Sequence, residues 1–415
     1  MEQHKAQVDQ YQDWSRLSTK RCKQYKDQVR DWSSLPGGVV EKISDSLCLY
    51  DYLCFSNVCK SWRRYQEETL QLHCNRSCGF PCLVMSKETE SETACCVSLL
   101  EKNKLFRLEM PTSSGGLFWG CIKDWLIIVK PFIKFAIIRM SLLNPFTGSK
   151  VDLPTTCSYR TKVVFSGYPG KQNCVYMLFS YKGTGYDVWI PEAKDWCRCC
   201  LEEGTDDVLI DLICFKGCFY LLTKEYNIRV LDVVYAYSTI QRQGYKEQID
   251  TRFYEIEMSS DIPRENIQCL DVQIFRYLVE FGDEILLVIR FLRNCFEETY
   301  DFRVFRLDLY KKEWVKLDNL GDCVIFVGRN CSRCYSAKEL GGGMGNCIYF
   351  TNGSGLLSGM NWENELSCSL ENDDWGIFKL NSDGSERFSY VARKWKRPPV
   401  WLTAPLCWYF NRFRP

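Results

Sequence analysis

The side chains that most often carry out chemistry are unevenly supplied in this 415-residue chain, which has two histidines and 25 cysteines. A Ser-His-Asp or Cys-His nucleophile needs an imidazole to take its proton, and the two available are His4 and His73. His4 stands in a polar terminal stretch and His73 at the end of a helical segment, so neither is placed for nucleophilic catalysis. His73, Cys74, Cys78 and Cys82 bring zinc-ligand residue types together, but their spacing contains no clean pair of CxxC motifs. Cys331 and Cys334 form a lone CxxC, and Cys197, Cys199 and Cys200 a tight knot. Buried thiols acting as small hydrophobes account for these clusters better than a metal does. No metal and no cofactor is expected.

Two further patterns invite a chemical reading. Gly341–Gly345, GGGMG, is rich enough in glycine for a phosphate loop. Such a loop follows a strand, opens a helix and carries a Lys-Ser/Thr pair; here the glycines precede a strand-like run and no such pair follows. A flexible turn between strands is the expectation. The carboxylate pairs Asp206-Asp207 and Asp373-Asp374 sit in polar, turn-like surroundings, where loop chemistry explains them without acid–base work. The chain therefore reads as a binding protein and not an enzyme.

Composition narrows what it binds. With 53 basic and 52 acidic residues the net charge is +1, which gives no electrostatic ground for nucleic acid or an acidic membrane. The run Trp125–Met140 is broken by Lys130, Pro131, Lys134 and Arg139, and reads as two strands and a turn instead of a membrane span. The first thirty residues lack the apolar core and small-residue cleavage site of a secretory signal. A reducing intracellular setting, nucleus and/or cytoplasm, is the expectation, and the odd cysteine count fits it.

The elements that must position any binding surface fall into three parts. Residues 1–30 form a polar extension, partly helical or disordered; Asp13–Leu17, DWSRL, is echoed at Asp31–Leu35, DWSSL. Residues 31–72 read as a helical module. Leu35, Val39, Ile43 and Leu47 recur at four-residue spacing, on one helical face. Ser33 or Ser34 can cap that helix, and Pro36 suits its first turn. A second stripe runs through Tyr50, Leu53, Cys54, Val58, Trp62 and Tyr65. Two short amphipathic helices cannot bury their apolar faces on each other alone, so a partner surface is implied. From 73 to 411 the grammar is strand and turn, as in Val163–Phe165, Cys218–Leu222, Ile285–Phe291 and Cys347–Phe350, and no helix longer than two turns is expected after residue 80. A loose unit recurs: a glycine turn, an apolar strand, a hairpin, a strand ending in an acid, then a tryptophan or proline closure. At roughly 45 residues per four-stranded blade, six or seven blades fit. The fold class is mainly β: a small helical module, then a kelch-like β-propeller, preferred over a pair of β-sandwiches.

The helical stretch resembles an F-box. Leu35-Pro36 opens it, Ile43 and Leu47 run along it, and Val58-Cys59-Lys60-Ser61-Trp62-Arg63 closes it. The resemblance implies docking on a Skp-type adaptor, which joins a cullin and a RING protein in a ubiquitin ligase. Leu35, Pro36, Ile43, Leu47, Val58 and Trp62 would dock the adaptor or hold the docking geometry. Gly37-Gly38 departs from the acidic residue common after the proline, and each glycine weakens the first turn by roughly 1 kcal/mol relative to alanine. Asn144-Pro145-Phe146-Thr147-Gly148 with Val151–Pro154, then Gly345–Thr351 and Pro398-Pro399-Val400-Trp401-Leu402, resemble plant F-box proteins of the KIB-like family, whose C-terminal domain is a β-propeller. That resemblance implies a substrate receptor, or an interaction protein acting as an inhibitor outside any ligase. Partner contacts in propellers come from loop aromatics and arginines. Tyr168, Tyr181, Tyr186, Trp196, Tyr245 and Trp362 are the loop aromatics, of which Tyr168, Tyr186, Trp196 and Trp362 are the stronger candidates for an unknown protein substrate.

Overall fold

In the computed structural model the chain divides into two compact units, Met1–His73 and Cys74–Pro415. The structure describes residues 32–46, 55, 58–65 and 68 of the first unit, and the strands, turns and one helix of the second between 80 and 404. In the first unit a single 3₁₀ turn, Trp32–Ser34, leads into helix α1, Gly37–Ser46, and residues 60–65 are helical again.

The second unit is built from strands. In chain order they are β1 Phe80–Ser86, β2 Thr93–Ser98, β3 Lys104–Glu109, β4 Leu117–Ile122, β5 Trp125–Phe132, β6 Ile137–Leu143, β7 Lys150–Asp152, β8 Thr161–Phe165, β9 Tyr176–Ser180, β10 Gly185–Trp189, β11 Cys197–Cys200, β12 Leu209–Phe215, β13 Cys218–Thr223 and β14 Ile228–Asp232. Helix α2, Val233–Gln243, follows, and then β15 Tyr254–Ile256, β16 Gln273–Phe281, β17 Glu284–Arg293, β18 Glu298–Asp308, β19 Glu313–Leu317, β20 Cys323–Gly328, β21 Cys331–Ser336, β22 Cys347–Phe350, β23 Gly376–Lys379, β24 Ser385–Arg387 and β25 Val400–Ala404. Within Trp125–Met140 the two expected strands are present as β5 and the start of β6, and residues 133–136 between them lie outside the described residues.

These strands form six sheets. Five are four-stranded antiparallel sheets: β25-β1-β2-β3, β4 to β7, β8 to β11, β12 to β15, and β16 to β19. The sixth runs β21-β20-β22-β23-β24, with β20 and β22 parallel. The first strand of one sheet lies beside the first strand of the next: β25 by β4, β8 by β12, β12 by β16 and β16 by β21. This is a β-propeller, which leaves few open strand edges. The late strand β25 pairs with β1 from the start of the unit, Leu83 facing Trp401, and so joins the early and late parts of the second unit in one sheet.

Helix α2 overturns the expectation of no long helix beyond residue 80. Val233, Ala236, Tyr237 and Ile240 pack inward at helical spacing, and the Asp232 carboxylate caps the first turn by accepting the Tyr235 N–H at 2.8 Å. The β-branched and aromatic opening VVYAY reads as strand, yet the cap and the i, i+3, i+4, i+7 stripe were both present.

Neighbouring sheets are tied by polar groups. The Lys162 ammonium on β8 pairs with the buried Asp211 carboxylate on β12, whose other oxygen accepts the Leu278 N–H of β16 at 2.6 Å. Leu278 in turn offers its carbonyl to Ser332 of β21, also at 2.6 Å. Tryptophan indoles make a second set of ties: Trp196 donates to the Pro154 carbonyl, Trp314 to that of Tyr226 and Trp401 to that of Val327. A third tie is ionic. The Arg290 guanidinium on β17, fully buried, donates to Thr299 Oγ1, the Thr351 carbonyl and the Asp374 carboxylate, each at 2.7 Å, with the Phe350 ring 4.8 Å below it. Asp374 is thus a core residue, contrary to the turn-surface reading of the Asp373-Asp374 pair.

Candidate functional sites

In the helical module, Val40, Phe55 and Trp62 form a small core, with Leu35, Ile43, Cys59 and Tyr65 packed against it. Trp62 stacks on Phe55 with ring centroids 4.5 Å apart, and its indole N–H donates to the Trp32 carbonyl at 2.9 Å. Ser61 donates to the Ser33 carbonyl, also at 2.9 Å. The VCKSWR segment therefore clamps the turn that opens α1 onto the second helix. The inward position on α1 is Val40 and not Val39, so the four-residue stripe drawn from the sequence is displaced by one residue at its second member. Val39 is 43% exposed and Val58 54%, and Trp32 and Pro36 are exposed too. Several large apolar side chains thus stand outside this small core. Leu47 lies outside the described residues. Nothing lies within 4 Å of a Cβ placed at Gly37 or Gly38, so packing does not demand glycine there.

In the propeller, the turn after the first strand of a meander and the connection after its third emerge at the same end, because successive strands are antiparallel. That end carries Lys123-Asp124, residues 144–149, 166–175 and 190–196, Lys216-Gly217, α2, Gly282-Asp283 and residues 309–312. Contacts between neighbouring sheets put these turns on one common face. Tyr168 meets Trp125 edge-on at 5.4 Å, the Tyr237 hydroxyl lies 3.3 Å from the Glu192 carboxylate, and Lys216 Nζ lies 2.8 Å from Asp283 Oδ1. Lys216 holds the exposed Asp283 carboxyl below its ordinary range. The Asn144 turn is fixed here as well. The Asn144 side chain accepts the Phe146 and Thr147 N–H groups and donates to Asp124 at 2.6 Å, and Gly148 supplies the positive φ of 73° that closes the turn.

Large apolar side chains concentrate on this face: Tyr168, Val234, Tyr235, Leu309 and Tyr310 are all exposed. Of the aromatics singled out from sequence, Tyr168 is on this face and half exposed. Trp196 is there too, but half-buried with its indole N–H occupied by Pro154. Tyr186 is corrected: at 1% exposure on β10 it belongs to the core and offers no surface. The GYDVW run alternates inward and outward, and Tyr186 falls on the inward beat. Tyr181, Tyr245 and Trp362 lie outside the described residues. Sequence reasoning missed Tyr310, the most exposed of the large hydrophobic side chains among the described residues, at 96%. Its signal was the turn Asp308-Leu309-Tyr310-Lys311-Lys312, where an acid able to cap a turn is followed by two apolar residues.

The chemical candidates find structural explanations. Burial pushes the Cys214 and Cys331 thiols up to about 12 and Cys347 to about 11, away from the thiolate a nucleophile needs. Cys323 and Cys334 are joined across β20 and β21. Among the described residues no three His, Cys, Asp or Glu side chains gather as metal ligands; His73, Cys74 and Cys78, and the pair Asp206-Asp207, lie outside them, as do glycines 341–343. Gly345 is a close-approach residue, because a Cβ there would come 2.5 Å from the Gly321 carbonyl oxygen. Among the described residues no helix is long and apolar enough to cross a membrane.

Comparison with known proteins agrees with this anatomy. An F-box domain matches residues 32–66, and the KIB1-4 beta-propeller matches residues 96–379. An F-box/kelch-repeat protein of Arabidopsis thaliana is 32% identical over 369 residues, spanning 79% of this chain and 86% of the relative. Two more from the same plant are 25% and 26% identical, covering 77% and 78% of this chain and 82% and 83% of their own length.

Proposed function

Because the chain belongs to the KIB1-4 beta-propeller family and carries an F-box ahead of the propeller, we propose that it is a non-catalytic substrate-recognition subunit of a Skp–cullin–F-box ubiquitin ligase. The F-box docks a Skp-type adaptor, and through it a cullin and a RING protein, while the propeller holds the protein to be modified. We count the six sheets as six kelch-like blades, the irregular one included. The observation that carries this reading is the set of exposed apolar F-box side chains around the Val40–Phe55–Trp62 core. Leu35, Pro36, Val39 and Val58 supply the docking surface, and Trp62 and Ile43 hold its geometry; Leu47 is assigned to docking from its place in the sequence alone.

Val58→Asp places a charge where adaptor contact would desolvate it, without entering the Val40–Phe55–Trp62 core. Pull-down of a Skp-type adaptor by the full chain is expected to fall at least tenfold with Val58→Asp and with the double variant Leu35→Ala/Pro36→Ala. Undiminished capture by both, with circular dichroism unchanged, would remove the assignment.

A second reading, an interaction protein acting outside any ligase, draws on Gly37-Gly38 opening α1. Since neither glycine is required by packing, Gly38→Ala should stabilise the helix by about 1 kcal/mol and tighten adaptor capture severalfold. No capture by either form would favour this second reading.

A further inference from the structure

Between the β12–β13 and β16–β17 turns lies a groove of about 300 Å³, lined by Phe215, Ile285, Leu307 and Leu309 together with Asp283, Glu284, Arg306 and Asp308. Phe215, Ile285 and Leu307 make an apolar floor, the exposed Leu309 extends it, and Tyr310 stands next in the chain at full exposure. An exposed tyrosine beside an apolar cleft is the residue type that anchors protein interfaces.

The charges around the cleft say what would enter it. The Lys216 ammonium is engaged by Asp283 and by the Phe215 ring beneath it, 5.3 Å away, and Arg306 is engaged by Glu284 at 3.1 Å. That leaves Asp308. Its Oδ1 accepts the Tyr310 and Lys311 N–H groups, at 3.1 and 2.9 Å, which shapes the turn. No cation pairs with it among the described residues. Directly opposite Asp308 on the partner strand is Glu313, and like charges facing each other across a strand pair are destabilising. Lys311 answers Glu313 loosely, at 3.6 Å. A cation arriving from a bound partner would relieve the remaining repulsion.

We propose that this groove, flanked by Tyr310, takes a segment of the target protein in which an aromatic or leucine side chain adjoins a lysine or arginine. The apolar side chain lies on Phe215, Ile285 and Leu307 against Tyr310, and the cation meets the Asp308 carboxylate. The inference deepens the substrate-receptor reading and rests on it for the meaning of binding, but its test does not depend on the adaptor.

The probe is a set of fluorescein-labelled, end-capped peptides twelve residues long, in which one Leu, Phe, Tyr or Trp neighbours one Lys or Arg. Matched peptides carry Asp or Glu at the charged position. Fluorescence anisotropy with the full chain is expected to show binding of basic–apolar peptides at least tenfold tighter than of their acidic counterparts. Asp308→Asn keeps the turn acceptor and removes the charge, and it should abolish most of that preference. Tyr310→Ala, at a side chain that packs on nothing in the free protein, should weaken binding about tenfold, and Tyr254→Ala, exposed on β15 away from the groove, should not. Equal binding of basic and acidic peptides, a preference for acidic ones, or full binding by both groove variants would overturn the proposal. Adaptor pull-down on the same proteins reads the receptor assignment separately. Groove variants that capture adaptor normally but lose peptide support the inference, and a wild type that binds peptide without adaptor breaks the ligase reading alone.

Discussion

Asp374→Ala is expected to destabilise the propeller by about 3–5 kcal/mol, because it leaves the Arg290 guanidinium buried without its counter-charge. Arg290 has no exposure, and its remaining partners, Thr299 Oγ1 and the main-chain carbonyls of Thr351 and position 374, are neutral. Asp374 also accepts from Thr299, at 3.1 Å from its N–H and 2.5 Å from its hydroxyl, so β17, β18 and the sixth sheet lose a common fixed point together. The double variant Arg290→Met/Asp374→Leu removes both charges and should be less damaging than Asp374→Ala alone, since replacing a buried pair by apolar groups is often tolerated whereas orphaning one charge is not. Urea unfolding followed by intrinsic fluorescence decides the matter. A single variant within 1 kcal/mol of wild type, or a double variant worse than the single, would show that the pair does not carry this tie.

Trp401→Ala is the second large effect, about 3–5 kcal/mol for truncating a buried indole. Trp401 sits on β25, donates to the Val327 carbonyl at 3.1 Å, and meets Phe326 edge-on at 5.0 Å. It joins the first sheet to the sixth, where the ring of sheets closes. Loss at this point should loosen both neighbouring sheets, so hydrogen exchange is expected to rise in β1 and β20 while β12 and β13 stay protected. A uniform rise across all sheets would mean that Trp401 acts as an ordinary core residue, not as the seam.

What the sequence disclosed depended on the range of the interactions involved. The VCKSWR ending was legible because its order is local: Ser61 and Trp62 reach back to carbonyls just ahead of α1, and a short motif encodes the clamp. The Asn144 turn was legible for the same reason. Strands such as Ile228–Asp232 and Cys347–Phe350 matched their apolar runs because β-branched and aromatic alternation is a local signal. Tryptophan closures were visible as residues, though not as ties, since their acceptors lie dozens of positions away. Asp374 was misread because its partner is 84 residues distant and nothing nearby marks it as buried. Tyr186 was misread because a loop aromatic and an inward-facing strand aromatic look alike until register is known. The groove at Phe215 was illegible throughout, for its walls come from three turns in two sheets.

The pairing of β25 with β1 has a consequence for how the protein is made. Phe80 and its partner Ala404 are separated by the whole propeller. A ribosome adding about 5–20 residues per second needs roughly 15–60 s to travel from one to the other. For that interval β1 presents an unpaired edge, and the five later sheets can form while the first waits for its innermost strand. The nascent propeller is therefore an open arc with one unpaired flank until its final strand arrives. Premature stops ahead of Val400 should yield aggregating protein even though nearly every other strand has been synthesised.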